Sequence, residues 1–218
     1  MKDVVAMKIF QRMIQLKPEC VFDGLGKTAE IVGHLNSNTD LTWYGWQAMM
    51  GMPLGTVAVS TRVDNWSSFV EVQTEILADQ AYLEMVGSTA GMMASPAQDN
   101  IMTPIAGSAN MPAEPMDFLF SNVAKAAYSN IPQAMDWSQR FCDMANGLAG
   151  TPTAGLMTSL GEGGATFALL MYYESIAQYE ERQPPEVFAI EALNSLQTES
   201  ESLFEASSNL QTMARRIA

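Results

Sequence analysis

The feature that most constrains this chain is the order of its segments, which runs through one series twice. Residues Val5, Met7, Ile9, Gln11 and Met13 alternate along one face of an extended stretch from Val4 to Gln15. A helical face of Val5, Ile9 and Met13 fits nearly as well, and the β-branched start favours a strand. Pro18 then opens a helix reaching about Leu35, since a proline N–H is not missed in a first turn. Val21, Leu25, Thr28, Val32 and Leu35 recur at helical spacing, and Asn36 to Asp40 reads as stop and turn. Leu41–Met50 and Thr56–Val63 are strand-like and joined by Gly51-Met52-Pro53-Leu54-Gly55, the pattern of a hairpin. Asp64-Asn65 caps a helix, continuous or broken, from Trp66 to about Met85 or beyond, with Phe69, Val72, Ile76 and Leu77 facing inward.

The second half repeats that order. A strand falls within Asp117–Tyr128 around Phe118-Leu119-Phe120 and Val123. Asn130-Ile131-Pro132 starts a helix that reaches about Met144 and ends at Asn146-Gly147. Thr153–Leu160 and Thr166–Tyr173 are strand-like about a Gly161-Glu162-Gly163-Gly164 turn. Helix dominates from Ser175, split at Pro184-Pro185, and its long piece carries Val187, Ile190, Leu193, Leu196, Leu203, Phe204 and Leu210. Across the halves Pro18 answers Pro132, the two glycine turns answer each other, and Val57-Ala58-Val59 answers Phe167-Ala168-Leu169. Gly87–Pro115 has only Asp99 and Glu114 charged and reads as an extended connection with one short strand around Ile101-Met102-Thr103. The expected organisation is a first α+β unit at 1–86, a linker at 87–115 and a second α+β unit at 116–218.

A strand–helix–strand–strand–helix series in duplicate resembles the dimeric α+β barrel superfamily in a tandem, single-chain form. The fold class expected is α+β: two tandem βαββα ferredoxin-like units whose antiparallel sheets pack as a pseudo-dimeric barrel. The resemblance implies a small-molecule cavity between sheet and helices. The superfamily includes cofactor-free monooxygenases, haem-binding enzymes that use a helical histidine, isomerases, and stress-responsive proteins of no known chemistry. Element order alone does not choose among them.

Composition removes several functions. With 48% hydrophobic residues the chain can build a core, and 11 basic against 24 acidic residues leave a net charge of −13. That field repels nucleic acid and anionic membrane surfaces, and Arg215-Arg216 is the only basic cluster. Lys8 and Arg12 interrupt any signal-peptide core, and the best apolar run, Gly163–Tyr173, falls short of the roughly 18 residues of a membrane span. Cys20 and Cys142 form no C-x-x-C and no disulfide framework, so two buried thiols in a reducing, cytoplasmic setting are expected.

His34, the only histidine, is the one imidazole available as a catalytic base, set against a plain helix-terminal role. One histidine and two scattered cysteines argue against a zinc site, and no metal ligand or cofactor is assigned. Trp43, Tyr44 and Trp46 cluster on one strand, which places Tyr44 and Trp46 on one face and Trp43 on the other. With Tyr173 in the second half, Tyr44 and Trp46 are the expected ligand-binding wall, weighed against core packing. No P-loop, G-x-S-x-G, H-E-x-x-H or dinucleotide fingerprint occurs. The leading expectation is a protein that binds a small apolar or aromatic molecule. The alternatives are a cofactor-independent monooxygenase or isomerase on the same fold, and a non-catalytic homo-oligomeric assembly protein.

Overall fold

A computed structural model describes residues 7–158, 165–182 and 190–218. The chain divides into unit 1, Met1–Thr103 with Ala214–Ala218, and unit 2, Pro104–Met213.

Unit 1 runs β1 (Lys8–Gln15), a 3₁₀ turn (Pro18–Cys20), α1 (Val21–Asn38), β2 (Trp43–Met50), β3 (Thr56–Val63), α2 (Trp66–Ala78), α3 (Gln80–Thr89) and β4 (Gln98–Ala106). Its strands pair antiparallel: Phe10 of β1 stands opposite Thr61 of β3 on one side and Ile101 of β4 on the other, and Trp43 of β2 stands opposite Thr61. The chain's last residues return to this sheet, where Gly45 N–H donates to the Ala218 carbonyl and Ile217 N–H to the Gly45 carbonyl. The pleat sends Phe10, Trp43, Val59 and Val63 to one face, where they pack with Val32 and Leu35 of α1, Phe69 and Ile76 of α2, and Tyr82 of α3. On α1 the buried residues Val21, Gly24, Thr28, Val32 and Leu35 form the stripe that their spacing predicts.

Two details depart from expectation, in α1 and at Leu77, and a third decides between a continuous and a broken second helix. Helix α1 continues to Asn38, because Asn36 does not break it: its amide accepts from Trp43 N–H at 2.7 Å and donates to the Trp43 carbonyl at 3.0 Å. The helix after Trp66 is broken at Asp79, whose extended backbone and carboxylate, accepting from Ala81 and Tyr82 N–H, start α3 afresh. Leu77 is exposed, not inward, since Phe69 and Ile76 define the buried side and Leu77 lies about 100° round the helix from Ile76.

The stretch expected to be a connection contains nine-residue β4, three times the length of the Ile101–Thr103 strand. Gln98, Asp99 and Asn100 have no strand signature of their own. The ladder to β1 and the Arg12–Asp99 ion pair at 2.7 Å hold them extended. The boundary between the units falls within β4, after Thr103.

Unit 2 runs β5 (Phe118–Ala126), a 3₁₀ turn (Tyr128–Asn130), α4 (Ile131–Ala149), β6 (Thr153–Thr158), β7 (Ala165–Tyr173), α5 (Ile176–Glu181), α6 (Glu191–Leu203) and β8 (Leu210–Arg216). Phe120 of β5 and Thr153 of β6 stand on either side of Met171 of β7, again antiparallel. Ser121 of β5 and Thr212 of β8 share a hydroxyl–hydroxyl hydrogen bond of 2.5 Å. The core combines Ala106, Trp137, Cys142, Leu169, Leu196 and Leu203 with Ala126, Ala134, Ala165 and Phe167. Helix α4 passes Asn146-Gly147 and ends at Gly150, whose φ of 56° is the left-handed C-terminal cap that glycine tolerates best. Leu210, expected on a long helix, is the first residue of β8. Helix α6 stops at Leu203, and Ser208 Oγ accepts the Lys125 N–H, turning the chain back along β5.

The two units share a numerical register. The starts of β1 and β5, of α1 and α4, and of β2 and β6 are all separated by 110 residues (8 to 118, 21 to 131, 43 to 153). At that step Thr28 and Ser138 each donate to the carbonyl four residues back, and Asn65 and Ser175 each cap the following helix. Pro18 and Pro132 do not correspond. Pro18 starts a 3₁₀ turn matched by Tyr128, whereas Pro132 lies in the first turn of α4. The Gly161–Gly164 turn, Pro184-Pro185 and Val187 lie outside the described residues. Among the described residues no helix is long and apolar enough to cross a membrane.

Candidate functional site

Unit 2 holds a cleft of about 430 Å³ between its sheet and its helices. Alternation on β5 and β7 supplies the floor, Asn122, Ala124, Phe167 and Leu169. Helix α4 contributes Trp137 and Ser138, and the end of α6 contributes Ser200 and Phe204. Glu201, Glu205, Ala206 and Asn209 stand around the mouth. Local folding explains the last group, because Glu205 N–H donates to the Lys125 carbonyl at 2.8 Å and pins the chain beside β5.

The aromatic wall is set before any ligand arrives. Trp137 Nε1 donates to the Leu196 carbonyl at 2.8 Å, which fixes the indole. Its ring lies 5.2 Å from Phe204, edge-on, and Phe204 lies 5.6 Å from Phe167 in the same manner. Asn122 brings a side-chain amide that makes no hydrogen bond to another described residue. Beside the cleft, Arg140 joins α4 to α6. Its guanidinium donates to both Glu199 oxygens at 2.6 and 2.9 Å and to Asp136 at 2.8 Å, and this hydrogen bonding holds the Glu199 carboxyl below its ordinary pKa.

Unit 1 carries a smaller cavity, about 110 Å³, in the corresponding layer, with Phe10, Arg12, Trp43, Ile76 and Tyr82 in its wall. Arg12 stands opposite Val59 in the ladder just as Asn122 stands opposite Leu169. The Arg12 fork is occupied, with both contacts to Asp99 at 2.7 Å, and that bond raises the pKa of Arg12. Its guanidinium carbon also lies 5.8 Å from the Phe10 ring centre.

The residues singled out from sequence do not converge. His34 lies on α1 with Nε2 2.5 Å from Asp79 Oδ2, joining α1 to the α2–α3 break. The bond to His34 is the first cause of a lowered Asp79 carboxyl pKa. Tyr44 and Trp46 share the sheet face opposite Trp43, and hence opposite α1, where Trp46 Nε1 donates to Ser60 Oγ at 2.9 Å. Tyr173 is buried on the helix side of its own sheet, 5.2 Å ring to ring from Tyr179. None of the four lines either cavity. Sequence reasoning missed Trp137, Phe167 and Glu201. The i, i+4 pair Trp137 and Phe141, stacked at 5.3 Å, was the signal present. Among the described residues no three His, Cys, Asp or Glu side chains come together as a metal-binding group.

No family model matches the chain, and no curated protein matches it. Solved structures do. A "putative monooxygenase" from Fusobacterium nucleatum subsp. nucleatum is 9% identical with a TM-score of 0.66, over 98% of this chain and 93% of that one. A "putative monooxygenase" from Lactobacillus acidophilus is 7% identical with a TM-score of 0.66, over 98% and 95%. An anthrone oxidase-like protein is 11% identical with a TM-score of 0.61, over 99% and 95%. Across nearly its whole length the chain therefore has a fold like theirs, which bears out the resemblance at the level of fold.

Proposed function

We propose that the protein binds a small apolar or aromatic molecule in the unit 2 cleft. The observation that carries this is a cleft of about 430 Å³ whose Trp137, Phe167 and Phe204 rings are already locked against one another. Its volume lies within the roughly 300–1,000 Å³ of small-molecule sites, and rigid rings lose little entropy on binding. The chain is, on this reading, a tandem of two ferredoxin-like units, each closed by a last strand, β4 or β8; the shared step of 110 residues (8 to 118, 43 to 153) supports it. The test is native mass spectrometry of protein purified from its own source, beside Ala124→Phe, which fills the floor of the cleft. A small-molecule adduct on the parent chain that is lost in the variant is expected. An adduct retained in full by Ala124→Phe, or no binding of any apolar probe, overturns the proposal.

A second reading, a cofactor-independent monooxygenase, is favoured by the two monooxygenase-named structures and the anthrone oxidase-like one. In such chemistry a base removes a proton from an electron-rich aromatic substrate, and the carbanion then reduces O₂ within a dry pocket. For an anthrone, the ring methylene and O₂ give the quinone carbonyl and one water. Glu201 and Glu205, which line the cleft, are the candidate bases. Oxygen uptake with anthrone that falls at least tenfold in Glu201→Gln or Glu205→Gln is expected; uptake equal to the protein-free rate removes this reading and leaves binding alone.

A further inference from the structure

We infer that the ligand of the unit 2 cleft is an amphiphilic cation, an apolar or aromatic body bearing an ammonium group. This rests on the binding reading above and narrows it to one class of ligand. The interior offers aromatic faces, and the opening offers two carboxylates, Glu201 and Glu205, which make no ion pair among the described residues. Among the described residues no lysine or arginine lines the cleft. Lys125 is one residue beyond Ala124 on β5, and the pleat turns it to the opposite face of the sheet. Arg140 on α4 is already shared between Asp136 and Glu199, so its charge does not offset the mouth.

An ammonium group there gains twice. It approaches two exposed carboxylates at the mouth, and it lies against Trp137 or Phe204, since aromatic rings attract cations. An anion of the same shape meets the carboxylates with no compensating donor. The matching cavity of unit 1 does not share this preference, because Arg12 in its wall is paired with Asp99.

The experiment compares three probes of one shape by calorimetry: 1-naphthylmethylammonium, 1-naphthylmethanol and 1-naphthoate. The cation is expected to bind about tenfold more tightly than the alcohol, with the anion weakest, and the ratio to shrink as salt is raised. In Glu201→Gln/Glu205→Gln, checked for folding by circular dichroism, the ratio falls toward one. In Asp23→Asn/Glu71→Gln, which removes two exposed charges elsewhere, it is retained. Binding of the alcohol, blocked by Ala124→Phe, with no advantage for the cation overturns the charge assignment and leaves the cleft standing. A cation preference that survives the double glutamine change, and so comes only from the net charge of −13, also overturns it. Binding of none of the three removes the cleft reading and this one together.

Discussion

Asn36 and Asn146 are equivalent clamps, each holding both backbone groups of the residue seven places on. Asn36 accepts from Trp43 N–H at 2.7 Å and donates to its carbonyl at 3.0 Å, while Asn146 does the same for Thr153 at 3.1 and 3.2 Å. Each ties the end of a long helix to the first residue of the next strand. Asn36→Ala and Asn146→Ala should each destabilise the protein by about 1–2 kcal/mol, measured by urea unfolding, because the N–H and carbonyl of a buried strand residue lose their partners. Aspartate, which accepts but does not donate, should be milder at both sites.

Asp79 links acid stability to the α2–α3 break. Its carboxyl is held below the ordinary value by the hydrogen bond to His34 and by the Tyr82 and Ala81 N–H groups. A depressed folded-state pKa contributes stability above the unfolded carboxylate value of about 4, and that contribution is lost as pH falls through the folded value. Thermal melts of Asp79→Asn should therefore lie below the parent at neutral pH and converge with it in acid. Curves that stay parallel across the acid range would dismiss this linkage.

Gly107 leaves no room for a side chain. Its φ is 61°, and a Cβ there would stand 2.3 Å from the Thr153 carbonyl oxygen, a backbone atom that cannot move aside. Gly107→Ala should cost at least about 2 kcal/mol, combining left-handed backbone strain with the clash. Urea unfolding should show it as a lower midpoint with an unchanged slope.

The two thiols differ in reactivity. Burial pushes Cys142 up to about 12, so little thiolate forms at neutral pH, while Cys20 is half-buried. A thiol-reactive chromophore should label one cysteine in the native protein, identified as Cys20 by peptide mapping, and both in urea. Rapid native labelling of Cys142 would contradict its burial.

Much of the fold is legible in the chain because helix α1 has a strong period and strands β2 and β3 flank a clear glycine turn. Strands β4 and β8 are not, since Gln98-Asp99-Asn100 and Arg215-Arg216 show no apolar alternation and become strands only through their neighbours. The cleft was hidden for a different reason. Its wall draws on β5, α4, β7 and α6, and no spacing rule joins Asn122, Trp137, Phe167 and Phe204. The dense aromatic run at Trp43–Trp46 drew attention instead, yet the pleat divides it between two faces, and its hydrogen bonds to Thr39 and Ser60 are those of a packed core.

At one matched place in the two ladders, unit 1 holds an arginine gripped by an aspartate and unit 2 an asparagine whose amide makes no hydrogen bond to another described residue. A protein that pairs identical subunits must accept every substitution in both pockets at once. A single chain that encodes both is released from that bond: one hollow can be closed with an ion pair for strength while the other stays open for a guest.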